Sequence, residues 1–158
     1  MVQIDDVSTR TIEQLWLSYS DELLRFATVL VGPSDASDVV ADAFMSAARS
    51  AVKSVVRDPR AYMFRAVANR AYDLRRSRQR RWSRDLSAVT RDIQEGPDNL
   101  IDVRRAVADL SIRQRAVVYL VYWNDLTERT TAELLGLSLG TVRRHLVRAQ
   151  SQLRKALK

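Results

Sequence analysis

The stretch that decides the fold is ELLGLSLGTVRRHLVRAQSQLRKAL, residues 133–157. It holds two glycines four residues apart, then apolar residues at helical spacing among several arginines. Gly136 suits a tight turn because glycine tolerates a positive φ, and Ser138 can cap the helix that follows. Val142 and Leu146 are four residues apart, so both would face the preceding helix. The pattern predicts a helix-turn-helix, with a plain amphipathic surface helix as the alternative.

The second helix of such a motif turns its remaining side chains outward. Basic side chains near the start of that helix suit major-groove reading, because arginine can bind guanine or phosphate and valine can contact a thymine methyl group. The residues expected to read duplex DNA are Ser138, Leu139, Thr141, Arg143, Arg144, Val147 and Arg148. His145 lies between the outward and inward positions, and the sequence assigns it no chemistry.

Composition excludes several classes of protein. The 158 residues carry a net charge of +7, which favours a polyanionic partner. There is no cysteine and a single histidine, so thiolate zinc sites, cysteine nucleophiles and multi-histidine metal sites are excluded, and we expect no metal or cofactor. The longest apolar run, residues 116–123, is too short for a bilayer, which needs about 20 residues. With no signal-peptide pattern at the N-terminus, we expect a cytoplasmic protein without membrane insertion.

The charge is divided into blocks along the chain. Residues 1–50 carry a net −5, residues 51–84 a net +9, residues 85–110 a net −3 and residues 111–158 a net +6. Two separate basic blocks indicate two separate contacts with a polyanion, which the total charge alone would not.

Helical periodicity dominates the chain, and only four glycines and three prolines interrupt it. With no convincing strand, we expect an all-α protein of two small helical domains joined by a flexible linker. The N-terminal domain would span residues 1–82, the linker residues 83–97 and the C-terminal helix-turn-helix domain residues 98–158.

Capping signals predict where some helices begin. Thr11 with Gln14 and Ser111 with Gln114 have the spacing of capping boxes, and Thr127 can cap the helix before the turn. The apolar face of the first helix is expected to comprise Ile12, Leu15, Trp16, Tyr19, Leu23, Phe26 and Leu30.

Three stretches of the sequence resemble RNA polymerase sigma factors of the extracytoplasmic-function type, in the sigma-70 family. The opening stretch is similar to the family's C-terminal helix-turn-helix. The stretch DASDVVADAFMSAAR, residues 35–49, is similar to its polymerase-binding helix, and DPRAYMFRAVANRAYDLRRSRQRR, residues 58–81, to its minus-ten-recognition helix. The resemblance covers about residues 12–157, with the motifs in the family's order.

The resemblance implies a sigma factor that binds core RNA polymerase, reads duplex minus-thirty-five DNA and opens the minus-ten element, with no active site. Its implied partners are core polymerase and promoter DNA, with an anti-sigma protein as a further candidate. Polymerase-binding residues would be Asp35, Asp38, Val39, Asp42 and Phe44. Minus-ten residues would be Val55, Val56, Arg57, Tyr62, Asn69, Arg70, Asp73, Arg76 and Arg80, although Tyr62 could equally belong to the core. Trp82 could stack on a base or fill the core.

The main alternative is a free-standing transcriptional regulator with a similar helix-turn-helix. Such regulators usually carry a sensory or receiver domain with strands, whereas residues 1–84 read as helices with a basic block. An adaptor that binds polymerase without DNA is disfavoured by the two basic blocks. An enzyme is disfavoured because no carboxylate pair, metal cluster or glycine-rich phosphate loop stands out. Departures from the family pattern at Arg144, Gln150 and residues 129–131 leave the bases read open.

Overall fold

The computed structural model describes the backbone of residues 4–51, 57–82 and 98–158, and the side chains of residues 12–50, 57–78 and 102–158. Every regular element in this part of the chain is helical, which confirms the expected all-α class. The helices are α1 (Ile4–Val31), α2 (Pro33–Ala51), α3 (Pro59–Trp82), α4 (Asp98–Asp109), α5 (Ile112–Val118), α6 (Glu128–Leu135) and α7 (Leu139–Ala156). A π-helical segment, Tyr119–Trp123, continues α5. The predicted linker, residues 83–97, lies outside the described residues.

The start of α1 differs from the sequence prediction. The helix begins at Ile4, so the predicted capping-box start at Thr11 and Gln14 is wrong. No glycine or proline lies between Ile4 and Thr11, so nothing in the local chain stops the helix from extending upstream.

Glycine, aspartate and proline set the junctions of the first three helices. Gly32 closes α1 with a φ of +88°, and its N–H donates to the carbonyl of Thr28 at 2.9 Å. Pro33 then occupies the first position of α2, where its missing N–H costs no helical bond. Before α3, the side chain of Asp58 accepts a hydrogen bond from the N–H of Ala61 at 3.0 Å. These junctions turn α1, α2 and α3 back on one another.

Two further helices begin as the sequence predicts. The Ser111 hydroxyl accepts from the N–H of Gln114 at 3.2 Å, and the Gln114 side chain accepts from the N–H of Ser111 at 2.8 Å, so this capping box is confirmed. The Thr127 hydroxyl accepts from the N–H of Thr130 at 3.0 Å at the start of α6.

The main core is shared by both halves of the chain. The Phe26 ring of α1 lies 4.9 Å from the Phe64 ring of α3 and 5.8 Å from the Tyr119 ring of the π-helical segment, measured between centroids. Ile112 and Leu120 are buried in the same cluster. Burial of these side chains therefore holds α5 and the π-helical segment against α1 and α3.

Guanidinium groups add polar bonds between the same halves. Arg115 of α5 donates to the carbonyls of Leu30 at 2.6 Å, Leu110 at 3.1 Å and Ala108 at 2.5 Å. Arg75 of α3 donates to the Leu110 carbonyl as well, at 3.0 Å. Burial lowers the pKa of Arg115 and the nearby charge of Arg75 lowers it as well, so that it falls to about 10. The carbonyls at the ends of α1 and α4 thus find their partners in arginines from other helices.

Candidate nucleic-acid interface

The turn between α6 and α7 has the geometry that a helix-turn-helix requires. Gly136 adopts the left-handed conformation, with φ +65° and ψ +34°, and the N–H of Leu137 donates to the Ala132 carbonyl at 2.9 Å. The Ser138 hydroxyl accepts from the N–H of Thr141 at 3.1 Å and so caps α7. The roles predicted for Gly136 and Ser138 in this turn are confirmed.

The inner face of α7 is apolar and buried. Val142 is fully buried and Leu146 is 5% exposed, and both belong to a small cluster with Val117 of α5 and Ala132 of α6. This cluster fixes the rotation of α7 about its own axis, and therefore determines which side chains face outward.

The outer face of α7 carries the side chains expected to read DNA. Arg143, Arg144, Val147 and Arg148 are exposed, whereas Leu139 and Thr141 are half-buried. Val147 is 66% exposed and so adds an aliphatic side chain to this outer face. The outward set thus combines arginines with one apolar side chain, which matches the mixed polar and methyl surface of a major groove.

Two contacts orient the ends of this outer face. Arg143 Nε lies 2.8 Å from Glu128 Oε2, so the first turn of α6 holds this guanidinium. Gln150 Nε2 donates to the Tyr122 hydroxyl at 2.5 Å, which ties the middle of α7 to the π-helical segment. Sequence reasoning did not anticipate Glu128 or Tyr122, because each is more than ten residues from its partner.

His145 lies half-buried at the edge of the outer face. Burial lowers its pKa below 6.5, and the charges of Arg113, Arg148 and Arg144 lower it further. The imidazole is therefore neutral near pH 7 and adds no positive charge to the outer face of α7.

A second candidate surface is a groove of about 400 Å³ between α2 and α3. Four of the residues predicted for the minus-ten element line it together: Tyr62, Asn69, Arg70 and Asp73. Tyr62 also packs against the main core, so both of its predicted roles fit its position. Arg76 lines a different crevice, beside Tyr72 and Arg75. Arg57 is exposed ahead of α3, while Val55, Val56 and the side chains of Arg80 and Trp82 lie outside the described residues.

Two ion pairs join α2 to α3, one inside this groove and one outside it. Arg70 Nε lies 2.6 Å from Asp42 Oδ2, and Arg78 donates to both carboxylate oxygens of Asp35 at 2.5 and 2.6 Å. The hydrogen bonds that Arg78 donates to Asp35 raise the pKa of Arg78. Arg78 was absent from the predicted site. The sequence spacing gave one indication of this pair: Asp35 and Asp42 are seven residues apart on α2, and their partners are eight residues apart on the antiparallel helix α3.

The outward face of α2 holds the remaining predicted polymerase contacts. Asp38 is exposed, and Met45, seven residues later on the same face, is 60% exposed. Val39 and Phe44 are 1% and 5% exposed, so their prediction as contact residues is corrected: they belong to the core and support this face from beneath. Trp16, expected in the core of α1, packs edge-on against Phe44 at 4.9 Å and is 47% exposed.

Helix α3 also contacts the helix-turn-helix half directly. The Arg113 guanidinium of α5 lies 4.9 Å from the centre of the Tyr72 ring, and Arg65 packs against the turn at Gly136. Both candidate surfaces are therefore built on one packed scaffold. Among the described helices, none has the length and the apolar character that crossing a membrane would require.

A capped helix-turn-helix with a basic outer face, packed beside a second basic helix, defines a DNA-binding transcription factor. Two family descriptions match the chain in the order of these surfaces: Sigma-70 region 2 over residues 15–81 and Sigma-70, region 4 over residues 100–153. The chain belongs to the sigma-70 family of RNA polymerase sigma factors, in its extracytoplasmic-function group. It is thus a non-enzymatic factor that directs transcription by RNA polymerase, and the alternative of a free-standing regulator is set aside.

Relatives support this assignment, and solved structures share the fold. The chain is 33% identical to the RNA polymerase sigma-E factor of Streptomyces coelicolor, over 87% of this chain and 80% of that protein. It is 31% identical to the ECF RNA polymerase sigma factor SigM of Mycobacterium tuberculosis, over 92% and 76%. Its fold is similar to that of the sigma factor RpoE solved with the anti-sigma factor NepR from Bartonella quintana, with a TM-score of 0.73, 23% identity and coverage of 94% and 97%. CnrH solved with the cytosolic domain of CnrY shares the fold with a TM-score of 0.64.

Proposed function

We propose that this sigma factor reads the minus-thirty-five element as duplex DNA with α7 and holds the opened minus-ten strand in the groove between α2 and α3. The observation that carries the first half is the division of α7 into a buried apolar row and an exposed row of arginines. Because the cluster behind α7 fixes its rotation, Arg144 and Arg148 extend from the face that a major groove would meet.

Support for the second half comes from the residues that line the groove. Asn69 offers an amide that can bond a base edge, Tyr62 offers an aromatic face, and Arg70 offers a cation for phosphate. These are the groups that hold an unstacked strand by stacking and charge rather than by groove width. Strand binding of this kind should weaken steeply as salt rises.

The outward face of α2 is proposed to bind core RNA polymerase in the cytoplasm. Asp38 supplies negative charge, and Met45, seven residues later on the same face, supplies apolar area at 60% exposure. On α1, Trp16 and Leu17 are 47% and 83% exposed, and Trp16 packs against Phe44 of α2, so exposed apolar area of α1 adjoins α2, as is typical of protein-binding surfaces. Since the solved neighbour RpoE is in complex with the anti-sigma factor NepR, we extend the proposal to an anti-sigma partner that competes for exposed apolar side chains of α1 and α2.

The test of DNA reading compares two charge-matched double variants of α7. Arg144→Ala with Arg148→Ala removes two outward cations near the reading end, and Arg154→Ala with Lys155→Ala removes two from its last turn. We expect the first pair to weaken binding of the reconstituted holoenzyme to a minus-thirty-five duplex by about 30-fold or more, because two arginine–base contacts of about 1–3 kcal/mol each contribute at least about 2 kcal/mol. The control pair should change it by less than about 3-fold.

Affinity for core polymerase, measured by competition with the wild-type chain, should stay the same in both double variants. An equal loss of duplex binding in the control pair would contradict the assignment of α7 as the reading helix. So would a matching loss of polymerase affinity in the Arg144 and Arg148 variant.

A further inference from the structure

The acids of α2 hold two arginines of α3 in the free chain. Asp42 holds Arg70 inside the groove proposed for the opened strand, and Asp35 holds Arg78 through both carboxylate oxygens. A strand phosphate approaching Arg70 or Arg78 would therefore meet a carboxylate already in place. The cations are neutralised locally, although the block from residue 51 to residue 84 is strongly basic.

The same two acids lie on the helix proposed to bind polymerase. Asp42 belongs to the exposed part of α2 together with Asp38, and its side chain is 48% exposed while paired. Asp35 lies one turn before Asp38, with a side-chain exposure of 18%. A basic protein surface that docks on α2 would compete with Arg70 and Arg78 for these carboxylates.

We propose that the Asp35–Arg78 and Asp42–Arg70 pairs exchange partners when polymerase binds, which frees both arginines for phosphates of the opened strand and adds Arg78 to the strand-binding residues. This rests on the proposed function. Exposed ion pairs contribute little net stability, so exchanging them costs little. Because such coupling is reciprocal, polymerase should raise the affinity for single-stranded DNA by the same factor as the strand raises the affinity for polymerase.

The first experiment removes the acids without polymerase. In the full chain carrying Asp35→Asn and Asp42→Asn, binding to a fluorescein-labelled oligothymidine of about 20 nucleotides is measured by anisotropy at several salt concentrations. We expect affinity to rise by about 3-fold to 10-fold at low salt, because each freed pair is equivalent to at most about a 5-fold effect. The slope of log affinity against log salt should become steeper by about 1.4, as expected for two added phosphate contacts.

The matched control has the same change in net charge at other exposed acids, Asp21→Asn on α1 with Asp102→Asn on α4. The affinity of this control variant for oligothymidine should rise by less than 2-fold. Adding Arg70→Gln and Arg78→Gln to the Asp35 and Asp42 variant should abolish the gain. An equal gain in the control, or a gain that survives loss of both arginines, would overturn the exchange.

A second variant covers the case in which the acid substitutions disturb α2. Arg78→Gln alone should weaken oligothymidine binding by the free chain by no more than about 2-fold, because its cation is already paired there and the change adds only the unpaired charge of Asp35. In the holoenzyme it should lower open-complex formation on a promoter by about 3-fold or more, read by permanganate reactivity of the opened strand. A loss of the same size in both assays would refute the exchange. If the wild-type chain gives no run-off transcription with core polymerase, the proposed function is refuted instead. Oligothymidine binding by the free chain then still decides whether the ion pairs exchange.

Discussion

Arg115 offers the sharpest test of the polar bonds that link α5 to its neighbouring helices, through the substitution Arg115→Met. Its guanidinium donates to the carbonyl of Leu30 in the N-terminal half and to the carbonyls of Ala108 and Leu110 in its own half. Hydrogen bonds from a charged donor contribute about 2 kcal/mol each, so three contribute about 6 kcal/mol. Burial opposes this by disfavouring the charged form, which lowers the pKa of Arg115 to about 10, and water screens part of both effects at this half-buried site. Allowing for about half of the hydrogen-bond contribution to be lost to this screening, the net loss on substitution by methionine is about 3 kcal/mol.

Urea unfolding followed by circular dichroism measures this loss, and in thermal unfolding it should appear as a fall in Tm of about 6–12 °C for a chain of this size. Arg115→Lys should cause a smaller loss than Arg115→Met, because lysine keeps a charged donor. Some loss should remain, because one ammonium cannot reach all the carbonyls that three separate guanidinium nitrogens reach. The control is Arg129→Met, an exposed arginine of α6, which should change stability by less than about 0.5 kcal/mol. If Arg115→Met costs no more than Arg129→Met, the guanidinium bonds of Arg115 do not stabilise the packed helices and the reasoning fails.

Two further predictions concern the reading motif. Gly136→Ala should destabilise the chain by about 1–2 kcal/mol, because the φ of Gly136 is +65° and the new Cβ would lie 3.0 Å from Arg65 Cδ. Gly140→Ala should instead stabilise the chain by about 0.5 kcal/mol, because the nearest atom to its new Cβ would be Ser138 Oγ at 4.0 Å. Thermal unfolding of both variants checks this, and equal signs for the two would contradict the turn geometry. For His145, burial and the neighbouring arginines hold the pKa in the folded state below its value in the unfolded state, so the unfolded state binds the proton more readily. The imidazole's contribution to stability is therefore complete above about pH 6.5 and is lost as the pH falls through the folded pKa. As the pH is lowered from 8 to 5, the Tm of the wild type should therefore fall relative to the Tm of His145→Gln. A Tm difference that stays constant over this range would refute the prediction.

The sequence alone determined the features that depend on neighbours within a turn or two. The caps at Ser111 and Ser138 and the turn at Gly136 follow from residues three or four positions apart, and the structure has each of them. The outward row of α7 followed in the same way, because helical periodicity places Val142 and Leu146 on the opposite face. The predicted start of α1 was wrong because a capping signal permits a helix to begin there without preventing it from beginning earlier.

Only the tertiary structure decided which side chains meet across the fold. Arg115 and Leu30 are 85 positions apart, and nothing in either local sequence specifies their hydrogen bond. Val39 and Phe44 moved from contact residues to the core because their burial depends on how α1 and α2 are rotated against each other. The pairs of Asp35 with Arg78 and Asp42 with Arg70 needed the antiparallel register of α2 and α3. The reason is physical: backbone capping and periodicity act over one or two turns, whereas burial and charge pairing depend on distances that exist only after the helices have packed.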